Sequence, residues 1–203
     1  MRIIISINTS WNIYNFRLNL IKALQNEGHE VIAIAPNDDY VSKLEGIGVT
    51  CYHVALNPKG TNPIKDLGLT YQYYKQFKKL KPDCVLSYTI KPNVYGNFAA
   101  SLLKVPTINN ISGLGTLFIK KSIVTHIGKL LYKLSLSSSY HVFFQNSDDK
   151  LLFANNKLVS AKIASVIPGS GVDVHKFNCA RTQNEANKFL FLGRLIADKG
   201  IFE

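Results

Sequence analysis

Short apolar runs rich in β-branched residues alternate along this chain with longer segments of helical periodicity. Such alternation is typical of βαβ units, in which crossover helices join parallel strands. The runs predict seven strands, at residues 2–7, 30–35, 49–54, 83–88, 106–111, 140–145 and 163–167. Seven strands are enough for a complete doubly wound sheet, so we expect an α/β fold with a parallel sheet.

Apolar residues at helical spacing predict the helices that join these strands. One stripe is Ile13, Phe16, Leu20 and Leu24, and a second is Ile64, Leu67, Tyr71, Tyr74 and Phe77. The first helix is expected to end at Gly28 and the second before Pro82. A third helix, opened by Pro92, is predicted over residues 93–104. We interpret both stripes as faces packed against the sheet.

A basic segment at residues 119–138 has the pattern of an amphipathic helix. Its apolar face contains Ile123, Ile127, Leu130, Leu131 and Leu134, and its lysines are Lys120, Lys121, Lys129 and Lys133. The chain has 24 basic and 13 acidic residues, a net charge of +11, and no acidic residue lies between Asp83 and Asp148. This excess of basic residues is typical of proteins that bind an anionic partner, such as phosphate, nucleic acid or a lipid surface. Ordinary solvated lysines give the same pattern. Such a helix lies on an anionic membrane surface or covers a sheet, and the sequence leaves both open.

The loops at the strand ends argue against several common nucleotide-binding classes. A dinucleotide-binding dehydrogenase carries G-x-G-x-x-G after its first strand, whereas this chain has NTSWNIYNF there, and no P-loop occurs. No cluster of histidine, aspartate and glutamate has metal-ligand spacing, so no metal site is predicted. Cys51, Cys84 and Cys179 are far apart and odd in number, which favours a reducing cytoplasm. The N-terminal apolar run is too short for a signal peptide, and no segment reaches membrane-spanning length.

Ligands bind open parallel sheets in the crevice beyond the carboxyl ends of the strands. This rule selects the segments 8–11, 36–39, 89–91, 112–115 and 145–147. From them we predict a binding cleft that includes Asn8, Thr9, Trp11, Thr89, Lys91, Ser112, Gly113 and Gly115. The small residues of ISGLGT, at 111–116, let backbone N–H groups approach an anion, although a tight βα turn has the same composition. The ammonium of Lys91 could face a phosphate or the charge on a leaving group, although an ordinary exposed lysine fits equally well.

The composition becomes polar after Pro168. Residues 169–187 have no apolar periodicity and are predicted to be an interdomain linker. Residues 188–193, KFLFLG, then predict an eighth strand, which has no neighbour with which to form a parallel sheet. We therefore expect residues 1–168 to form a Rossmann-like domain and residues 188–203 to be the truncated start of a second one.

The passage IPGSGVDVHKF followed by FLFLGRLIADKG resembles the interdomain region of family-4 retaining glycosyltransferases, which have the GT-B fold. The segments FRLNLIKALQNEGHEVIAIAP, TIKPNVYGNFAA and ISGLGTLF are similar to one subgroup of that family. Its members build bacterial capsule, O-antigen and N-linked oligosaccharide units on a lipid carrier. The resemblance covers essentially the whole chain.

This resemblance implies two Rossmann-like domains across a cleft, with the acceptor on the first and a nucleotide-diphosphate-sugar donor on the second. It implies that Arg194 and Lys199 hold the donor diphosphate, and two cations at a strand-to-helix turn suit an anionic leaving group. We therefore expect sugar transfer without a metal ion or other cofactor. The expected acceptor is a lipid-diphosphate-linked saccharide at the cytoplasmic face of a bacterial plasma membrane. The protein would attach peripherally to this membrane through residues 119–138. No nucleic-acid partner is expected.

Two departures from the family pattern restrict these expectations. Many members have a histidine after the fourth strand, where this chain has Tyr88, Thr89 and Lys91, so no catalytic residue is assigned. The family's two donor-binding glutamates would lie beyond Glu203, so the 203-residue chain is expected to be inactive alone. Two alternatives are a non-catalytic module that binds an acceptor or a partner protein, and a plain nucleotide- or sugar-binding Rossmann module.

Overall fold

The computed structural model describes residues 1–57, 63–113, 123–174, 176–177 and 190–193. The strands in these ranges are β1 (Arg2–Ser6), β2 (Glu30–Ala35), β3 (Thr50–His53), β4 (Cys84–Tyr88), β5 (Thr107–Ile111), β6 (His141–Phe144) and β7 (Ala164–Val166). The α-helices are α1 (Ser10–Asn26), α2 (Val41–Glu45), α3 (Pro63–Leu80), α4 (Asn97–Leu102), α5 (Ile123–Leu136) and α6 (Ser147–Asn155). A π-helical turn, Pro92–Gly96, precedes α4, and a 3-10 turn, Ala161–Ile163, precedes β7.

The seven strands form one parallel sheet with the order β3-β2-β1-β4-β5-β6-β7. Every predicted strand is confirmed, with each end within one residue of its predicted position. At the centre of the sheet, Ile4 pairs with Ile32 of β2 on one side and with Val85 of β4 on the other. The direction in which successive strands are added to the sheet reverses between β1 and β4. The loops that follow these two strands run to opposite faces of the sheet, which leaves a crevice between them.

Helices cover both faces of this sheet. The apolar core on one face joins β1 and β2 to α1 and α2 through residues such as Ile5, Ile13 and Leu44. The core on the opposite face joins β1, β2 and β4 to α3 and α4 and includes Tyr73 and Phe77. Strands β5 and β6 contribute to a third cluster, which packs against α5 and α6. The doubly wound α/β fold is therefore confirmed.

Helix α1 packs against the sheet through part of the predicted stripe, since Ile13 is buried in the core and Leu24 packs against it. The side chain of Thr9 caps its first turn by accepting the N–H of Asn12 at 3.1 Å. Residues Ile13, Arg17 and Ile21 are buried, whereas Phe16 is 48% exposed. The prediction is therefore wrong at Phe16, and the buried stripe continues through the arginine at the next position.

Helix α3 differs from its prediction in the same way. Its buried residues are Leu69, Tyr73, Phe77 and Leu80. Leu67 and Tyr71, which were predicted to face the sheet, are 72% and 62% exposed. The predictions at Phe77, which is buried, and at Tyr74, which packs against the same core, are right, and the side chain of Ile64 lies outside the described residues.

The predicted helix at 93–104 is divided into the π-helical turn and α4. A network of buried polar side chains holds this segment against β5. The amide of Asn109 donates to Asn93 Oδ1 at 3.1 Å, and that of Asn93 donates to the carbonyl of Asn110 at 2.9 Å. Asn97 donates to Ser139 Oγ at 2.9 Å, and that hydroxyl donates to Asn109 Oδ1 at 2.8 Å. Buried polar groups that are mutually satisfied fix a single arrangement of the segments they join.

Helix α5 exposes most of the apolar face that the sequence predicts. Its buried residues are Thr125, Tyr132, Ser135 and Leu136. Its exposed apolar residues are Val124 (51%), Ile127 (53%), Leu130 (56%) and Leu134 (53%), hereafter the α5 apolar stripe. The helix thus covers the sheet with a mixed face and leaves this stripe in solvent. Residues 119–122, with Lys120 and Lys121, lie outside the described ranges.

The chain divides into two compact units, Met1–Gly171 and Val172–Glu203. In the second unit, Leu190–Gly193 are described and form no strand, and residues 188 and 189 of the predicted eighth strand lie outside the described residues. None of the helices in the described ranges combines the length and apolar content that crossing a bilayer requires.

Candidate functional site

A cavity of about 210 Å³ lies at the carboxyl end of the sheet, beside the point where the strand order reverses. The described residues that line it are Ile7, Asn12, Phe16, Arg17, Tyr88, Thr89, Ser112, Gln145 and Ser170. They come from the segments that follow β1, β5, β6 and β7 and from the end of β4. The crevice that strand order predicts is therefore present in the structure.

Thr89 and Ser112, and Gln145 from the segment 145–147, are the residues selected by the strand-end rule that line this cavity. Thr89 follows β4 with a backbone φ of +62°, in the left-handed region that β-branched residues rarely adopt. Its hydroxyl donates to the carbonyl of Tyr88 at 2.5 Å, and the hydroxyl of Ser112 donates to Asn110 Oδ1 at 3.1 Å. Both hydroxyls retain lone pairs that can accept hydrogen bonds from a ligand.

Asn8, Thr9 and Trp11, also predicted for the cleft, organise the first turn of α1. Asn8 Oδ1 accepts the side-chain amide of Asn12 at 2.8 Å, and Thr9 caps the helix. The backbone N–H of Trp11 donates to Asp38 Oδ2 at 3.0 Å. Side chains of the protein itself therefore already bind donors at this helix end.

Lys91, a further predicted cleft residue, has an acidic partner. Its Nζ atom lies 2.5 Å from Asp66 Oδ1, and the hydroxyl of Tyr95 donates to Asp66 Oδ2 at 3.0 Å. Burial and this carboxylate raise the pKa of the Tyr95 hydroxyl, so it stays protonated. The role of Lys91 towards a ligand stays a prediction.

The remaining predicted residues are glycines and the two donor-side cations. Gly113 is exposed and has a φ of +140°, a conformation that favours glycine. Gly115, Arg194 and Lys199 lie outside the described residues, so their roles also stay predictions.

Arg17 is the charged cavity residue that sequence reasoning missed. Its guanidinium lies 4.2 Å from the centroid of the Tyr88 ring, and Nη1 donates to the carbonyl of Phe16 at 3.0 Å. The side chain belongs to a residue only 8% exposed, and its Nε atom is buried without a hydrogen-bond partner. Burial lowers the pKa of this guanidinium and raises that of the Tyr88 hydroxyl, an effect that the nearby arginine opposes. The sequence does carry one signal for it. Arg17 lies four positions after Ile13 and four before Ile21, so a helix places this basic residue on the same face as the two isoleucines.

The chemistry of this cavity suits binding more than proton transfer. Among the described residues that line it, none has a carboxylate or an imidazole, the usual general acids and bases. The lining supplies one guanidinium together with hydroxyl and amide groups. Such groups recognise anionic and hydroxyl-rich ligands such as sugar phosphates.

Comparison with known protein families identifies the chain. Residues 2–146, which include six of the seven strands, match the family model described as glycosyl transferase 4-like. The chain belongs to the glycosyl transferase 4-like family. The resemblance seen in the sequence is therefore confirmed, and the cavity lies at the carboxyl end of this family's sheet.

One relative of this glycosyl transferase 4-like chain has a specific name. It is the N,N'-diacetylbacillosaminyl-diphospho-undecaprenol alpha-1,3-N-acetylgalactosaminyltransferase of Campylobacter jejuni, 32% identical over 193 residues. The match covers 93% of this chain and 51% of the relative, so the chain spans about half of that relative's length.

Solved structures resemble the glycosyl transferase 4-like fold at low sequence identity. A glycosyltransferase from Rickettsia africae has a TM-score of 0.64 and 17% identity, over 87% of this chain and 45% of that one. MurG from Acinetobacter baumannii has a TM-score of 0.57 and 17% identity, over 85% and 46%. A UDP-GlcNAc 2-epimerase from Neisseria meningitidis has a TM-score of 0.60 and 16% identity, over 82% and 46%. An epimerase and transferases share this architecture, so the fold alone does not define the reaction.

Proposed function

We propose that this chain is the acceptor-side half of a glycosyltransferase. The reaction transfers a sugar from a nucleotide-diphosphate-sugar to a lipid-diphosphate-linked saccharide during synthesis of bacterial surface polysaccharide or another glycan. The observation that carries this proposal is the 32% identity to a transferase whose name specifies a diphospho-undecaprenol-linked acceptor. The cavity supports it, because its cation and hydroxyl groups suit a sugar and its phosphates.

On the donor side, we propose that Arg194 and Lys199 bind the diphosphate and stabilise the leaving group without a metal ion. Two cations can neutralise the charge that develops as the bond between sugar and phosphate breaks, which is the role a divalent metal plays in other enzymes. Transfer by the complete polypeptide should therefore persist in excess EDTA. Loss of transfer with EDTA, and recovery with added Mg²⁺ or Mn²⁺, would contradict this part of the proposal.

We further propose that the protein works at the cytoplasmic face of a plasma membrane, with α5 against the lipid. The α5 apolar stripe is exposed, and Lys133 beside it is exposed as well. No acidic residue occurs between Asp83 and Asp148, so this part of the chain does not repel anionic lipid. An apolar face with neighbouring lysines is the pattern of interfacial helices.

Transfer is tested with a chimera, because this chain spans about half of its relative. Residues 1–171 of this chain replace the matching half of the Campylobacter transferase, and a panel of nucleotide-sugars is offered with undecaprenyl-diphosphate-linked saccharides. We expect transfer by the chimera and none by the 203-residue chain alone. The intact Campylobacter enzyme is the positive control.

Acceptor binding distinguishes the proposal from a non-catalytic role. A chimera that binds the lipid-linked saccharide without transferring sugar would favour a module that only binds an acceptor. A folded chimera with neither transfer nor acceptor binding would reject the assignment, and turnover by the 203-residue chain alone would show that it contains a complete donor site.

A further inference from the structure

We propose that Arg17 forms a phosphate-binding site in the cavity at the carboxyl end of the sheet. The expected ligand is a phosphate or diphosphate group carried by one of the two substrates. This inference rests on the proposed function only for the identity of those substrates. The binding of an anion by Arg17 is a separate property, which is measurable without any sugar transfer.

The first argument is that Arg17 is buried without a compensating acid. It is 8% exposed, and among the described residues the acidic side chains in ion pairs are Glu30, with Arg2, and Asp66, with Lys91. Buried charges in proteins are normally paired with an opposite charge. A buried arginine that lines a cavity and is paired with no carboxylate of the described residues is ready for an anion from outside the protein.

The second argument is the orientation of the guanidinium. One face of the group stacks on Tyr88, so the N–H groups around its edge are left to make hydrogen bonds. Nη1 uses one of them on the carbonyl of Phe16, and the Nε atom is buried, so the donors left for a ligand are those of Nη2 and the second N–H of Nη1. Two parallel N–H donors on one edge match the spacing of phosphate oxygens, which is why arginine binds phosphate in a bidentate way.

The third argument is that the other groups that could bind an anion near the cavity, the ammonium of Lys91 and the N–H donors at the start of α1, already have partners in the protein. The ammonium of Lys91 is paired with Asp66, and Thr9 and Asp38 accept donors from the first turn of α1. Arg17 is the one charged group among the described residues that line the cavity. An anion in this cavity therefore has the guanidinium as its charge partner.

Around the guanidinium, the cavity supplies neutral groups that complete such a site. Asn12, Thr89, Ser112 and Gln145 have polar side chains in the lining. They suit the remaining phosphate oxygens or the hydroxyls of an attached sugar. The cavity has a volume of about 210 Å³, enough for a phosphate group.

The test measures binding of inorganic pyrophosphate to the 203-residue chain by isothermal titration calorimetry at low and high salt. We expect saturable binding that weakens with salt. Arg17→Met keeps a stem of similar length over Tyr88 but removes the charge, and it should weaken binding at least about tenfold. Arg17→Lys should recover only part of the affinity, because an ammonium lacks the planar fork.

A matched control separates the site from general charge loss. Lys43 also places a cation over a tyrosine ring, 4.1 Å from the centroid of Tyr40, but it does not line the cavity. Lys43→Met should therefore leave pyrophosphate affinity unchanged. In thermal unfolding, Arg17→Met should be as stable as the wild type or more stable, because it removes a buried charge that lacks a partner.

The source of the phosphate is resolved by two further titrations. Tighter binding of farnesyl diphosphate than of pyrophosphate assigns the site to the lipid-linked acceptor, and tighter binding of UDP assigns it to the donor. Absence of pyrophosphate binding, or equal binding by folded Arg17→Met, would overturn the proposal. In the chimera with the Campylobacter transferase, sugar transfer with an unchanged KM after Arg17→Met would reject the phosphate site and leave the proposed transferase intact.

Discussion

The ammonium of Lys91 lies 2.5 Å from a carboxylate oxygen of Asp66, and the side chains are only 11% and 9% exposed. Lys91 follows β4, whereas Asp66 is in the first turn of α3, so the pair joins two elements that are 25 residues apart. Each charge is the principal compensation for the other in a poorly solvated place. Loss of one partner therefore costs more than the pair contributes when it is intact.

Lys91→Met should lower the free energy of unfolding by about 3 kcal/mol, because it leaves the carboxylate of Asp66 buried without its cation. The double variant Lys91→Met/Asp66→Leu should recover most of this loss, since two apolar side chains need no compensation. Urea denaturation of the wild type, both single variants and the double variant measures the coupling. Unchanged stability in Lys91→Met would contradict a role for this ion pair in holding β4 and α3 together.

Thr89→Gly should raise the free energy of unfolding by about 1 kcal/mol, because a β-branched residue in the left-handed region is strained. The backbone φ of Thr89 is +62°, and Lys157 has a similar φ of +54° without β-branching. Lys157→Gly is therefore the control and should stabilise the protein less. Urea denaturation gives both values, and a destabilised Thr89→Gly would mean that the contacts of this side chain outweigh the strain.

The triple variant Ile127→Ser/Leu130→Ser/Leu134→Ser should lose co-sedimentation with neutral and anionic vesicles alike. These side chains are more than half exposed, so their replacement removes membrane contacts without opening the core. A control, Leu67→Ser, changes an apolar residue that is 72% exposed on α3 and should bind vesicles like the wild type. Wild-type binding by the triple variant would exclude the α5 apolar stripe as the contact surface.

Substitution of Lys120, Lys121, Lys129 and Lys133 by glutamate should act only on anionic vesicles. Each lysine near the surface contributes about 1 kcal/mol of attraction to acidic lipid. We therefore expect vesicles of phosphatidylcholine alone to bind this variant as they bind the wild type. Equal binding of phosphatidylserine vesicles by the variant and the wild type would contradict the electrostatic contribution.

The sequence predicts the sheet closely and the helix faces poorly. Parallel strands that are buried on both faces consist of continuous apolar runs, so the two ends of such a run give the ends of the strand. The segment EVIAIA gives both ends of β2 in this way. Helices carry more apolar residues than one face needs, and the sheet decides which of them are buried. On α1, neighbouring residues exchange roles for this reason, since Phe16 is half exposed and Arg17 is buried. Helices α2 and α6 are too short to show a clear apolar period.

The site is predictable as far as it depends on strand ends. Thr89 and Ser112 follow β4 and β5, so the crevice rule places them correctly at the cavity. The partner of Lys91 could not be predicted, because nothing local in the sequence connects it with Asp66. Arg17 was missed for a related reason, since its proposed role rests on its burial without an ion-paired carboxylate among the described residues and not on any motif.

The strand order also determines how the sheet can be assembled during synthesis. Strand β1 pairs with β2 and then with β4, and β5, β6 and β7 follow in chain order along the same edge. When each of β4, β5, β6 and β7 leaves the ribosome, the strand with which it pairs has therefore already been synthesised. This order suits a domain that folds from its N-terminus during synthesis. The final edges are β3 and β7, with four and three residues, and such short edges offer little template for aggregation between nascent chains.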